Sequence, residues 1–470
     1  MIDTFSIRCS ILRLAFSGKI TEQMIADGTS RELLAKISPK KDIVQNEDIP
    51  YEIPDTWAWV KLADLYKVNP KVEAEPSTEA AFIPMERISA GFKRTFSYDT
   101  QSWEQASKNH TKFQDGDVAF AKITPCFENR KSFIAQGLPN GIGGGTTELI
   151  ILRQGEMLPE YTYLLLLDQR FISTGKASYK GTVGQQRVQS DVIKSFLVPV
   201  PPYSEQQRIV DKVEQAFSIL DTIDELQTQY AENLTILKTK LIDAAIQGKL
   251  TEQLPEDGTA EDLYALVQNE RARQETAGLI KSVELAPEIT DTDMSFDIPA
   301  NWKWTSLGNM AYIVRGGSPR PIKQYITTRE DGINWIKIGD VEKGGKYITS
   351  THEKIIPEGE AKSRRVYPGD FLLTNSMSFG RPYISKIEGC IHDGWLLIHD
   401  LTGFDPDYLY YLLSSSYLYD QFTEKASGST VDNLNIDKVK AAVIPLPPLA
   451  EQKRIAEKLD EVLKMFDVQQ

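Results

Sequence analysis

Apolar residues along this chain fall into two kinds of pattern. Between 204 and 247 they recur at Ile209, Val213, Ala216, Leu220, Ile223, Tyr230, Leu234, Leu237 and Leu241, in alternating steps of four and three broken only by Gln227. That heptad seam predicts one long helix with a facing partner, a coiled coil of about five heptads and roughly 65 Å. Ser204, after two prolines and three residues before Gln207, reads as a capping box. Gly248 reads as the residue that ends the helix. On either side the pattern changes to short apolar runs bounded by turns: AFIPM (81–85), DVAFAKI (117–123), ELIIL (148–152), INWIKI (333–338), DFLLT (370–374) and WLLIH (395–399). These predict strands. Each flanking region then carries one helix, at 160–174 and 406–424, followed by a Gly/Ser-rich loop (176–188 and 425–436), a short strand and a Pro-rich segment.

The pattern occurs twice. PVPPYSEQQRIVD (199–211) returns as PLPPLAEQKRIAE (445–457), and IPDTWAW (53–59) returns as IPANWKW (298–304). GKITEQMIADGTSRELL (18–34) returns as GKLTEQLPEDGTAEDLY (248–264). Ile455, Leu459, Val462 and Phe466 repeat the start of the seam, and Ile7 and Ile11 repeat its end. The second strand of the coiled coil is therefore expected from the two ends of the chain, paired antiparallel to the central helix. The fold class expected is α+β: two pseudo-symmetric α+β domains separated by a long antiparallel helical spacer. The expected divisions are 1–36 (part of the spacer), 50–203 (first domain), 204–275 (central spacer), 276–297 (acidic linker), 298–448 (second domain) and 449–470 (terminal spacer helix). The repeats match at their edges, but between 60–147 and 305–394 little aligns beyond the turns Gly116-Asp117 and Gly369-Asp370. Trp57, Trp59, Trp302 and Trp304 are expected in the core, seating each domain.

Charge changes this picture less than its total suggests. The net charge is −13, but 51–200 and 298–446 each hold 17 basic and 17 acidic residues. The excess lies in 201–297, with 8 basic and 20 acidic. Strong non-specific DNA binding by the chain alone is not expected, although a neutral domain can carry a basic face. Cys9, Cys126 and Cys390 are isolated, no Cys-x-x-Cys occurs, and the four His are not at metal-ligand spacings. No run of eighteen apolar residues and no signal-peptide pattern is present. A reduced, metal-free, cytoplasmic chain without a membrane span is expected.

Catalytic patterns are weak. GIGGGTT (141–147) lacks a phosphate-loop Lys, precedes a strand and reads as a turn. No GxGxxG follows a strand, and no Asn/Asp-Pro-Pro-aromatic methyltransferase motif occurs. Glu360 with Lys362 is a common tripeptide, and His392-Asp393 has no nucleophile at a recognisable spacing. The chain reads as non-catalytic.

The PPL.EQ.RI block, the IP..W.W opening, the GKLTEQ segment and their cyclic two-fold order resemble the specificity subunits of type I restriction–modification systems, over nearly the whole chain. The resemblance implies two target recognition domains reading double-stranded DNA and two docked methyltransferase subunits, with restriction subunits added. It also implies that S-adenosylmethionine, ATP and Mg sit on those partners and none on this chain. Two unlike readers select an asymmetric two-part site. Loop residues able to meet bases or phosphates are Lys122, Arg130, Lys131, Lys180, Gln185, Gln186 and Arg187 in the first domain. In the second they are Arg315, Arg320, Lys337, Asn375, Ser378 and Arg381. The repeated Glu205, Gln206 and Arg208, with Glu451, Gln452 and Arg454, are the expected partner-docking residues. Two other readings remain open at this point: a non-catalytic coiled-coil adaptor for two protein ligands, and a stand-alone DNA-modifying enzyme.

Overall fold

The computed structural model describes residues 1–37, 49–153, 155–182, 184–287, 289–342, 344–375, 380–424, 434 and 436–467. The chain divides into two units, Met1–Thr228 and Gln229–Gln470. The heptad seam forms one helix, Tyr203–Ile246, whose residues are shared between them. It starts one residue before the expected cap. Pro202 has no N–H to spend, and its carbonyl accepts from the backbone N–H groups of both Glu205 and Gln206. Gln207 instead donates to Asp211. Gly248 ends the helix as expected, at φ +72°, where an added Cβ would lie 2.5 Å from Pro299. Its counterpart Gly18, at φ +68°, ends the N-terminal helix Thr4–Phe16 against Pro54 in the same way.

In the first unit the N-terminal helix runs antiparallel to the long one. Ile2 meets Gln227, Thr4 meets Asp224, and Arg8 bridges Asp221 and Asp224. The residues facing inward are Thr4, Arg8, Leu12, Ala15 and Phe16, so the seam is shifted from the expected Ile7, which is 39% exposed. Ile209, Val213, Phe217 and Leu220 cover them. The corresponding helix of the second unit, Leu449–Asp467, packs Ile455, Ala456 and Leu459 with Ala245 and Ile246. Tyr230 and Leu237, between these two contacts, are exposed seam positions.

Each unit has the same scaffold. A two-stranded ribbon opens and closes it: Ala58–Lys61 with Leu197–Val200, and Lys303–Ser306 with Val443–Leu446. The ribbons keep the same register, Trp59 opposite Pro199 and Trp304 opposite Pro445. All four tryptophans are buried, as expected. One sheet of the first unit orders Lys67–Val68, Leu149–Arg153, Val118–Ala121 and Ser132–Ile134, all antiparallel. In the second unit Ala311–Arg315, Trp395–Asp400, Phe371–Thr374 and Pro382–Ser385 take the same order, with Tyr347–Ile348 added at the edge.

The other sheet also repeats, although the sequences there do not align. Its central pair is parallel in both units: Glu79–Ile83 with Ile142–Gly145, and Ile333–Ile336 with Gly389–Ile391. An antiparallel strand lies on each side, Asp99–Ser102 and Thr111–Gln114 in the first unit, Glu353–Ile355 and Arg364–Val366 in the second.

Two expectations need correction here. Within GIGGGTT, Ile142–Gly145 form a strand with Gly143, Gly144 and Gly145 buried, where a turn was expected. Glycines are required because a Cβ on Gly144 would lie 1.8 Å from the Ala106 carbonyl oxygen, and one on Gly143 would lie 2.4 Å from the Phe113 ring. Each single helix is also two: Pro159–Leu167 and Gln169–Ala177, then Pro406–Ser414 and Ser416–Glu424. Asp168 and Ser415 break them with extended ψ and cap the following turn, Asp168 accepting from the Arg170 N–H and Ser415 from the Leu418 N–H.

Candidate nucleic-acid interface

In the first unit the interface candidates gather around the turn that enters strand Leu149–Arg153. Lys122 donates its backbone N–H to the Glu148 carbonyl and accepts from Val188. Arg187 bridges to Ile123 and pairs both ways with Lys180, closing the loop between them. Gly181 at φ +120° and Gly184 at φ +85° let the backbone turn at its tip. The Arg187 guanidinium grips the Glu148 carboxylate through Nε and Nη2 at 3.0 and 2.7 Å, while 43% of its side chain stays exposed. Glu148 raises the Arg187 pKa further. Lys180 and Gln185 are exposed, and Gln186 holds Thr124 through its carbonyl.

The second unit repeats the frame with other residues. Asn375 donates its backbone N–H to the Gly394 carbonyl and accepts from Leu434, so it occupies the position of Lys122. The turn into strand Trp395–Asp400 again carries a carboxylate, here Asp393. Arg320 Nη2 lies 3.2 Å from Asp393 Oδ2, with 80% of the arginine side chain exposed. Ser318 donates to Oδ1 at 2.9 Å, and Arg315 Nε donates to the Asp393 carbonyl at 3.2 Å. Beside this cluster a groove is lined by Pro319, Ile322, Trp335, Lys337 and His392. Lys337 pairs with Glu353 at 2.9 Å. Burial pushes the His392 pKa down, keeping a neutral imidazole in the groove wall. So Arg315, Arg320 and Lys337, apart in sequence, are brought together. Asp393, which the sequence offers only as a catalytic candidate, joins Arg315, Arg320 and Ser318.

The structure corrects several expected contacts. Arg130 is 5% exposed: its Nε donates to the Leu167 carbonyl, its Nη2 to Gln169, and its guanidinium stacks on Phe5 and Phe92. Asn375 is 1% exposed. Neither side chain presents an edge to a base. Lys131 is half-buried with its ammonium on the Met85 carbonyl. Arg381 is exposed but lines a separate cleft with Tyr383, Tyr410 and Tyr419. Ser378 and most of the loop 425–436 lie outside the described residues.

The expected docking residues are corrected more fully. Glu205 is 1% exposed and accepts from the Trp57 indole at 2.8 Å, Thr21 at 2.9 Å and Gln23 at 2.5 Å. Glu451 is 0% exposed and accepts from Trp302 at 2.8 Å and Thr251 at 3.1 Å. Gln206 holds the Leu158 N–H and the Pro201 carbonyl, and Gln452 holds the Asp405 N–H and the Pro447 carbonyl. Arg208 clamps Asp27, and Arg454 clamps Asp257, each through two nitrogens. Those clamps hold both aspartates below the usual carboxylate range. The repeated polar block is thus an internal lock joining the helix start, the GK.TEQ segment and the first tryptophan. The buried Glu205, Gln206, Glu451 and Gln452 cannot dock a partner, whereas Arg208 and Arg454 keep 28% and 30% of their side chains exposed beside the aspartates they clamp.

Two repeated α+β domains, each presenting a different set of loop cations from one scaffold, define the architecture of a two-headed recognition protein. The family model for the type I restriction modification DNA specificity domain matches residues 54–231 and 299–470. The chain belongs to that family, as a type I restriction–modification specificity subunit. It is 28% identical to the type I restriction enzyme EcoEI specificity subunit of Escherichia coli, over 99% of this chain and 90% of that one. It is 27% identical to the EcoAI specificity subunit of the same organism, over 98% and 90%. Among solved structures it resembles a chain described under complex assembly and conformational transition of the type I R-M system, with a TM-score of 0.63, 21% identity and coverage of 89% and 93%. The HsdS subunit from Thermoanaerobacter tengcongensis gives a TM-score of 0.52, 20% identity and coverage of 89% and 92%. No described helix is long and apolar enough to cross a membrane.

Proposed function

We propose that the chain is the DNA-reading, non-catalytic subunit of a cytoplasmic type I complex, selecting an asymmetric two-part duplex site and docking two methyltransferase subunits. One observation carries the reading. On the turn into corresponding strands each unit carries a carboxylate, one residue apart in register, that holds an arginine drawn from a different loop: Arg187 on Glu148, and Arg320 on Asp393. A shared frame with exchanged cations is what two readers of unlike half-sites require. The candidate contacts are Lys122, Lys131, Lys180, Gln185, Gln186 and Arg187 in one unit and Arg315, Arg320, Lys337 and Arg381 in the other. S-adenosylmethionine, ATP and Mg belong to the partner subunits, and restriction subunits complete the nuclease.

The test is DNA binding by the chain assembled with its methyltransferase subunits. Arg187→Ala and Arg320→Ala should each weaken binding by about 1–3 kcal/mol and relax base preference in one half-site only. Loss of equal size for every DNA sequence assigns the arginine to a phosphate. Unchanged affinity and preference for both variants would remove this site from the reading.

A further inference from the structure

The groove beside Asp393 is apolar inside and charged at its rim. Its floor is Trp335, 2% exposed, in a small cluster with Ile355 and Cys390. Ile322 and Ile326 pack on that cluster and stay half-buried, and Pro321 beside them is exposed. His392, kept neutral by burial, closes one wall. On the rim Arg320 and Lys323 are exposed and Lys337 is half-buried. The two carboxylates of the lining are each held by a cation, Asp393 by Arg320 and Glu353 by Lys337. A cationic rim around an apolar bed suits a polyanion that carries an apolar group.

The equivalent place in the first unit is built differently. Strand Glu79–Ile83 corresponds to Ile333–Ile336, so Phe82, opposite Gly144, stands where Trp335 stands opposite Cys390. The Phe82 ring lies against His110, with centroids 4.7 Å apart, and packs on a cluster that contains Trp103. A groove found in one head alone suits the choice of a base better than the holding of any duplex.

In the major groove of DNA the apolar feature of a base edge is the C5-methyl group of thymine. We propose that the groove receives the C5-methyl group of one thymine in the half-site read by the second unit, with Arg320 and Lys323 meeting acceptor groups or phosphates beside it. This rests on the DNA-reading function proposed above and names what one head reads. Burying a group of that size is worth about fourfold in affinity.

The test uses the full chain assembled with its methyltransferase subunits, bound to a duplex carrying its two-part site. Each thymine of the site, on either strand, is replaced in turn by deoxyuridine, which lacks only the methyl group. At one position the replacement should weaken binding about fourfold, and in Ile322→Ala that loss should vanish. A second readout needs no protein variant: 5-bromouridine at each thymine position in turn, photo-crosslinked and mapped by mass spectrometry. At that same position it should attach to segment 318–326 or to His392. A site whose uridine replacements all leave binding unchanged would overturn the inference alone. So would a loss that persists undiminished in Ile322→Ala, or crosslinks that all fall outside the groove. An assembled complex that prefers no DNA sequence overturns the proposed function, and this inference with it.

Discussion

Glu205 gathers donors from three separate stretches of chain: Thr21, Gln23 and the Trp57 indole. Its place at the mouth of a helix suggests a cap or an exposed contact. Burial makes it a joint, because a carboxyl group with almost no water must be met by protein donors. Replacing it by Ala strands all three donors. Glu205→Ala should therefore cost about 1–3 kcal/mol of stability, read by urea denaturation, and Glu451→Ala should behave alike in the second unit. A cost near zero would show the joint to be solvated. Arg130 and Asn375 carry the same lesson. Their side-chain chemistry suits DNA, but whether a polar group faces water or core depends on what packs over it. For Arg130 that is Phe5 and Phe92, distant in sequence. The tryptophans were legible because large aromatics in a repeated position have few other roles. Asp393 was not, because its importance comes from Ser318, Arg315 and Arg320, which only the folded chain brings to it.

At the scale of elements, six short apolar runs predicted strands, and all six are strands, because alternation and turn residues are local properties. The parallel central pairs were not legible, since pairing between distant strands leaves no local mark. The glycine-rich strand Ile142–Gly145 was misread for a related reason: its glycines answer to Ala106 and Phe113, not to a turn. Equivalent elements have also acquired different chemistry. The turn aspartates Asp117 and Asp370 both cap their own turn, accepting from Gln114 and Tyr367. Asp117 is gripped by Arg153, however, and Asp370 by His399 at 2.7 Å. The hydrogen bond to Asp370 raises the His399 pKa above its ordinary 6.5. A raised histidine pKa stabilises the fold fully below the unfolded value, and that contribution fades as pH rises through the folded one. Burial lifts neighbouring Asp400 to about 6, so its own titration is largely complete by pH 7. Above pH 7 the second unit should therefore lose thermal stability as His399 deprotonates, and His399→Gln should flatten that dependence. An equal slope in the variant would assign the effect elsewhere.

Over the whole molecule, the cyclic order of repeats was the strongest signal in the sequence, and it led to the family. Polar identity kept between the copies points to docking in the sequence, yet in the fold Glu205, Gln206, Glu451 and Gln452 are internal locks. What the repeat could not disclose is which surfaces diverge by loop exchange and which stay alike, a property of the folded surface. As proposed, the two unlike heads together choose one asymmetric DNA site for a methylating partner. Adenine-methylation sequencing of the source cells, with and without this chain, tests it most directly. Deleting the chain should remove methylation from one asymmetric two-part motif. An unchanged methylome, with the methyltransferase subunit shown to be expressed, would contradict it.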